Sequence, residues 1–423
     1  MRILFFTHYF PPEGNAPASR TYETCKRWVR DGHEVCVITG VPSAPEGIVY
    51  EGYRKRLWPQ RERMDGIEVL RVWSYVAPNR RVLRRILNFV SFMISATLSG
   101  LFVRRPNVVI ATSPQLFCGW AGVLVSRARR LPFVLEIRDL WPDSILAVEA
   151  LRQGLVIALL YRLEAWMYAA ADHIVTVGEG YRRQLLGKGV EPEKLTVIPN
   201  GIDTELFYPL PPDPALRKEL DLEGRFVCSY LGTIGMACGL RVVLDAAKLL
   251  RQRGIHDVVF LMVGDGAARE ELEEEARREG LHEVRFLGRQ PKRRVPALLA
   301  ITDAALVHLK REPLFSTVLP SKIFEAAAMA RPILLGVEGH AAQLVTENDM
   351  GLCFEPENAE QLVEALERLR ADPELRRRLG ENGHQLVTKS FNRDSLARQF
   401  LVLLDTVVGR DARRQLQAGS TAR

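Results

Sequence analysis

Residues 313–335 read PLFSTVLPSKIFEAAAMARPILL, and three residues in this stretch are of types and spacing that can hold a phosphorylated ligand: Ser321, Lys322 and Glu325. Pro320 fixes φ, Ser321 is a good N-cap for a helix starting at Lys322, and Arg331-Pro332 stops that helix. Residues 333–337 then read as a strand. A turn that opens a helix leaves free backbone N–H groups at the positive end of a dipole. That is an anion site, and Lys322 adds a full charge to it. Glu325, one turn on, can accept hydrogen bonds from sugar hydroxyls. The same pattern also describes an ordinary capped helix with a dipole-complementing Glu and a solvated Lys, and the stretch alone leaves both open.

The elements that must position these residues alternate. Strand, loop, helix and strand recur from the N-terminus: residues 2–7, the loop HYFPPEGNAPASR, a helix over 19–31 and a strand over 34–39. This is a βαβ unit and predicts a parallel sheet. Residues 41–66 read as an irregular basic insertion carrying Arg54, Lys55, Arg56, Trp58, Arg61 and Arg63. After the turn-rich PNGIDTELFYP (199–209) the pattern restarts. A strand over 226–231 leads into GTIGMACG (232–239), and one over 258–263 into GDG (264–266). Strands over 284–287 and 304–309 follow. The fold class predicted is α/β, two Rossmann-like domains facing a cleft. The boundaries are 1–200 and 201–385, with 386–410 a C-terminal helix returning to the first domain and 411–423 a tail without structure. Open α/β sheets bind ligands outside the carboxyl ends of their strands. Gly14 there would let backbone approach a phosphate, and Arg20 could pair with one. No GxGxxG is present, so a dinucleotide reading lacks its main support.

The net charge of +7 favours anionic partners such as nucleotides, phosphates or an anionic membrane. No RNP-type signature, zinc spacing or basic–aromatic interleaving supports nucleic acid. The six cysteines form no CxxC and no framework, which fits a reducing cytosol. MRILFFTHYFPP is too short in its apolar run for a signal peptide and reads as a first strand. Residues 80–105 stand out. Arg80, Arg81, Arg84 and Arg85 precede eighteen uncharged residues, and Arg104 and Arg105 close the run. Six of the eighteen are Asn, Ser, Thr or Gly, and a span would split one sheet across a membrane, so spanning is rejected. Two readings remain: a buried core helix, or an Arg-flanked helix lying on an anionic membrane surface.

The GNAPASR loop, PNGID and PSKIFEAAAMARPIL, in a double Rossmann-like layout, resemble the retaining, nucleotide-sugar-dependent glycosyltransferases of family 4, which have the GT-B fold. RDLWPDS and PSKIFE resemble bacterial members that assemble O-antigen, capsule or exopolysaccharide, fucosamine transferase-like enzymes among them. The resemblance implies a hexosyl- or N-acetylhexosaminyltransferase. Its donor is a nucleotide diphosphate sugar, UDP-linked rather than GDP-linked, and its acceptor a polyprenyl-diphosphate-linked glycan. It implies no metal and no other cofactor; with the Arg-flanked 80–105 region, a lipid-linked acceptor suggests a protein peripheral to the inner face of the cytoplasmic membrane. The donor would lie in the second domain and the acceptor in the first. Glu325 would accept from the ribose, and Lys322 and the helix start at Ser321 would take the diphosphate. Backbone around Gly288, Arg289 and Gln290 would read the base, and Gly232, Thr233, Gly235 and Gly14 would close over the donor.

Three departures accompany the resemblance. The first of the family's paired glutamates would fall at position 317, which is Thr317. The usual Arg and Lys of the loop after the domain's first strand are Thr233 and Cys238. Where many relatives carry a His, this chain has Arg138-Asp139. Asp139 could take the acceptor's proton or position its hydroxyl, or merely cap the turn into LWPDS. Arg138 could be a structural ion-pair partner, and a lone His8 or His173 is more often packed than catalytic. A non-hydrolysing UDP-sugar epimerase would need a cluster of acids and a His that the sequence does not show. A non-catalytic nucleotide-sugar or lipid-binding subunit is the other alternative, motivated by Thr317 and Cys238.

Overall fold

A computed structural model describes residues 1–43, 47–76, 82–113, 115–143 and 154–421. The chain divides into two compact units, Met1–Asn200 with Asp394–Arg423, and Gly201–Arg393. The first unit holds β1 (Arg2–Phe6), α1 (Ala16–Arg30), β2 (Glu34–Gly40), β3 (Gln60–Met64), β4 (Ile67–Val72), α2 (Val82–Leu101) and β5 (Val108–Thr112). It continues through α3 (Leu116–Arg129), β6 (Phe133–Ile137), α4 (Leu155–Ala170), β7 (His173–Thr176), α5 (Glu179–Gly187) and β8 (Leu195–Val197). The sheet order is β3-β4-β2-β1-β5-β6-β7-β8. Its central strands are apolar on both faces, as a sheet covered by helices on both sides requires. α2, α3 and α4 share one core with Leu4, Phe6 and Val109. α1 and the C-terminal helix (Arg393–Thr421) cover the other face around Ile3, Phe5 and Trp28.

Four expectations need correction here. α1 begins at Ala16 instead of residue 19, because the Asn15 side chain accepts from the Ala18 N–H at 2.9 Å and Pro17 suits a first turn. The insertion over 41–66 is not irregular throughout. Residues 60–64, QRERM, form β3, antiparallel to β4 at the sheet edge. Their polarity hid them, since an edge strand buries only alternate residues. Arg20 does not offer its charge to a phosphate, as its bonds below show. The C-terminal helix runs to Thr421, where a tail without structure was expected from 411, because RDARRQLQA is built of good helix formers.

The buried-helix reading of 80–105 holds for one side of α2 only. Asn88, Phe89, Phe92 and Ala96 are buried, while Leu87, Ile94 and Leu98 on the opposite side are exposed. Gly100 allows the close packing: a Cβ there would stand 2.7 Å from the Phe6 ring and 2.9 Å from Val125. Among the described residues no helix is long and apolar enough to cross a membrane. Arg80, Arg81 and the side chain of Arg85 lie outside the described residues, and Arg84 is exposed.

The second unit holds α6 (Pro214–Glu219), β9 (Phe226–Leu231), α7 (Arg241–Gln252), β10 (Val258–Val263), α8 (Arg269–Arg278), β11 (Val284–Gly288) and α9 (Val295–Ala300). Then come β12 (Ala304–His308), α10 (Ser321–Ala328), β13 (Ile333–Gly336), α11 (His340–Glu347), β14 (Gly351–Cys353), α12 (Ala359–Ala371) and α13 (Pro373–Ser390). Its sheet, β11-β10-β9-β12-β13-β14, is parallel throughout. α6, α11 and β14 are too short for periodicity to reveal.

The first unit is tied at the carboxyl end of β6 by a buried charge network. Glu136 accepts from Arg20 Nε at 2.9 Å and Arg138 Nε at 2.9 Å. Arg20 also donates to the carbonyls of Ile198 and Pro199 and to Asn200 Oδ1, each within 2.9 Å. Arg138 donates to the Pro17 carbonyl and to Thr21 Oγ1. Burial pushes the Glu136 carboxyl up, but the Arg138 and Arg20 charges outweigh it and bring it down to about 2. Arg20 and Arg138 are therefore structural: they fasten α1 and the end of the unit's chain to one carboxylate. Glu136→Ala leaves two guanidinium groups unpaired in the interior and should cost about 3–5 kcal/mol by urea unfolding. A loss under about 1 kcal/mol would show that the network does not hold the unit together.

Candidate functional site

In the second unit, the loops at the carboxyl ends of β9, β10 and β11 meet backbone to backbone. The Gly232 N–H donates to the Val263 carbonyl at 2.8 Å, that of Ile234 to Asp265 at 2.9 Å, and that of Gly264 to Gly288 at 2.9 Å. The approach tolerates no side chain. A Cβ on Gly264, which has φ +145, would lie 1.8 Å from the Gly232 carbonyl oxygen, and one on Gly266 2.4 Å from that of Ile234. Gly232, Thr233 and Arg289 are exposed, and Gly235 is half-buried.

α10 brings its first turn to this floor. Pro320, at φ −63 and ψ 131, stands in the cap position, so Ser321 is the first helical residue and not the cap. No side chain caps the helix, which leaves its first N–H groups to the exposed end. Lys322 lies along Gly232, where an added Cβ would come within 2.4 Å of its Cε. Its Nζ donates to Tyr230 Oη at 2.7 Å and stands 4.4 Å from the centre of that ring. Tyr230 Oη in turn donates to the Thr233 carbonyl at 2.6 Å, and Cys238 Sγ donates to the same oxygen. One phenol thus fixes both the ammonium and the glycine loop.

The charges at the site are incompletely answered. Burial lowers the Lys322 pKa and raises that of Glu325, with Lys322, Arg393 and Lys292 opposing the rise. Among the described residues neither Lys322 nor Glu325 has an ion-pair partner within 4 Å, and the Glu325 carboxylate has no hydrogen bond. An ammonium and a carboxylate one helical turn apart, partly desolvated and unmatched, are placed to receive an anion and hydroxyl donors from outside. Among the described residues no group of three or more His, Cys, Asp or Glu could hold a metal ion.

Sequence reasoning missed the groups around these two. Tyr230 is fully buried in β9 and looks like core from its neighbours. His308, at the end of β12, sets its Nδ1 2.7 Å from the Cys238 carbonyl, while its Nε2 accepts from the Glu357 N–H at 2.9 Å. The accepting Nε2 makes Nδ1 the protonated nitrogen, and burial lowers the ring's pKa, so a neutral imidazole pins the 236–238 turn. Thr317 ends the 3-10 turn Pro313–Thr317, and its side chain lies outside the described residues.

The remaining candidates belong to the first unit. Gly14 is exposed, one residue before the Asn15 cap of α1. Asp139 follows β6, half-buried, with Oδ1 accepting from the Leu140 N–H at 2.9 Å and its carbonyl accepting from Ser113 Oγ. It therefore shapes its own turn, whatever else it does. His8 packs edge-on against Phe89 and Phe92, and burial pushes it down to about 3. His173 sits 2.8 Å from Thr196 Oγ1 and is brought down to about 4 by burial. Both stay neutral packing residues.

Comparison with known proteins covers both units. Residues 15–201 match the family model for a glycosyl transferase 4-like domain, and 213–386 match that for glycosyl transferases group 1. A protein of Escherichia coli K12 named as a colanic acid biosynthesis glycosyl transferase, WcaI, is 28% identical over 412 residues, 95% of this chain and 99% of its own. A Pseudomonas aeruginosa protein named as the glycosyltransferase WbjE is 26% identical over 285 residues, 66% of this chain and 70% of its own. In fold, sucrose-phosphate synthase from Thermosynechococcus elongatus superposes with a TM-score of 0.73 at 17% identity, covering 99% of each chain. HepE from Anabaena, solved with UDP and glucose, gives 0.68 at 19% identity over 96% of this chain and 99% of its own.

The glycine floor gives a direct test. Gly264→Ala combines a strained φ with a backbone clash and should destabilise the protein by at least about 1–3 kcal/mol in urea unfolding. Wild-type stability in this variant would mean that the strand ends do not approach as described.

Proposed function

We propose that this chain, a glycosyltransferase of group 1 with a 4-like N-terminal domain, moves a sugar with retention from a nucleotide diphosphate sugar to a polyprenyl-diphosphate-linked glycan in bacterial surface polysaccharide assembly. The observation that carries the donor part is the unmatched pair on α10, Lys322 and Glu325. The diphosphate lies at the start of α10 against Lys322, and the ribose hydroxyls donate to Glu325. The backbone around Gly288 to Gln290, where Arg289 is exposed, takes the base. UDP is preferred to GDP, in keeping with the fold neighbour solved with UDP. The colanic acid and glycosyltransferase names of the two relatives support the polysaccharide setting.

Chemistry follows from charge placement. As the bond between the anomeric carbon and the diphosphate oxygen breaks, negative charge grows on the leaving group. The desolvated Lys322 ammonium and the N–H groups of α10 meet it already oriented. This needs no metal for donor binding, because the cation is supplied by the chain. In the first unit, Asp139 is assigned the acceptor hydroxyl, orienting it and taking its proton as the new glycosidic bond forms. Thr317 leaves the sugar without the family's first carboxylate, which suits a deoxy or N-acetylated sugar. The lipid-linked acceptor places the enzyme at the inner face of the cytoplasmic membrane, held there by the Arg-flanked α2.

Two measurements test this. Lys322→Ala should lower kcat for transfer to a lipid-linked acceptor by about 10²–10³, and Glu325→Ala should act mainly on the donor KM. Full turnover in both variants would end the donor-site assignment. Tyr230→Phe keeps the ring under the ammonium but removes the oxygen that holds it. It should weaken UDP binding by roughly ten-fold by calorimetry while leaving uridine binding unchanged. Equal losses for UDP and uridine would show that Tyr230 supports the fold and not the position of Lys322.

A further inference from the structure

The helical face of the first unit carries more exposed apolar surface than α2 alone supplies. α2 packs along α3, and α3 against α4. Ten of the seventeen exposed large apolar residues among those described lie on these three helices or one residue beyond α2, so the exposure is concentrated and not scattered. On α2, Leu87, Ile94 and Leu98 recur on one side. On α4, Leu155, Leu159 and Trp166 do the same, Leu155 at 92% and Trp166 at 54% exposure. α3 contributes Leu124 between them.

The charge that these three helices carry outward has one sign. The sequences of the three helices contain a single acid, Glu164. It is buried, accepts from Lys188 at 2.9 Å and from Tyr168 Oη at 2.6 Å, and presents no charge outward. Arg84, Arg104, Arg105, Arg127 and Arg162 are exposed around the apolar residues. Arg162 stands 5.8 Å from the Trp166 ring, an amphipathic pair of the kind that settles where headgroups meet acyl chains. A soluble protein partner would be expected to find mixed charge and a shaped groove. Apolar side chains among five exposed arginines, with Asp172 and Asp411 only at the edge beside Arg127, instead match an anionic lipid surface.

We infer that α2, α3 and α4 together form a bilayer-docking face for anionic lipid, with Leu155, Leu159 and Trp166 of α4 inserted as anchors alongside Ile94 and Leu98. The inference rests on the membrane placement proposed above and extends it to a helix not implicated there. The full chain is sedimented with vesicles of phosphatidylcholine containing phosphatidylglycerol, and with phosphatidylcholine alone. Wild type should bind the anionic vesicles, more weakly as salt rises, and bind the neutral ones poorly. Leu155→Ser with Leu159→Ser and Trp166→Ser should lose about ten-fold or more of vesicle affinity, since three large apolar side chains no longer leave water on docking. UDP binding in the same variant reports that the protein is intact and tests the donor site separately. If this variant binds vesicles like wild type while Ile94→Ser with Leu98→Ser does not, the face is α2 alone and the inference falls while the membrane placement stands. Wild type that ignores anionic vesicles overturns both. Wild type that ignores them but forms a dimer broken by the α4 substitutions shows a second copy to be the occupant.

Discussion

The candidate site depends on how closely three parallel strands let their ends approach. The Gly232 N–H donates to Val263 and that of Gly264 to Gly288 across the carboxyl edge of the sheet, and Gly264 and Gly266 lie too close to the Gly232 and Ile234 carbonyls to leave room for a methyl group. Only with that floor flat can Lys322 lie across Gly232 and reach the Tyr230 hydroxyl. Backbone approach therefore comes first, and the charged groups inherit their positions from it. Glycine is required here by contact as well as by conformation.

The electrostatics of the two units run in opposite senses. In the first, Glu136 is matched by two guanidinium groups and their spare donors are used on carbonyls, so the interior charge is answered within the protein. In the second, Lys322 is met only by the hydroxyl and ring of Tyr230, and among the described residues neither Lys322 nor Glu325 has an ion-pair partner within 4 Å. Partial desolvation of an unmatched charge costs stability in the empty protein. A ligand that supplies the missing partners recovers that cost on binding, which is how a site can be selective for an anion flanked by hydroxyls.

Much of this was legible in the chain. The twice-repeated strand–helix alternation and the turn-rich 199–209 segment located the two units, because period and punctuation are local properties. That Lys322 and Glu325 stand in the first turns of a helix could be read because a proline turn before an alanine-rich helix is local too. What was illegible is long-range. Arg20 looked like a phosphate ligand because its partners, Glu136 and the Ile198–Asn200 backbone, are over a hundred residues away in sequence. Tyr230 looked like core because nothing nearby announces that its hydroxyl joins Lys322 to Thr233. β3 was hidden by its charge, and the start of α1 by a loop-like composition that Asn15 converts into a cap.

The C-terminal helix has a temporal side. Its residues Leu396, Phe400 and Leu404 complete the core beneath Ile3 and Trp28, and Trp28 Nε1 donates to the Ala397 carbonyl. Asp394 closes on Arg27 and Arg30 of α1. A ribosome delivers these residues after every residue of Gly201–Arg393 has been made. Of the two units, the one begun earlier is therefore completed later, and one face of its sheet is covered by α1 alone while the other unit is free to fold.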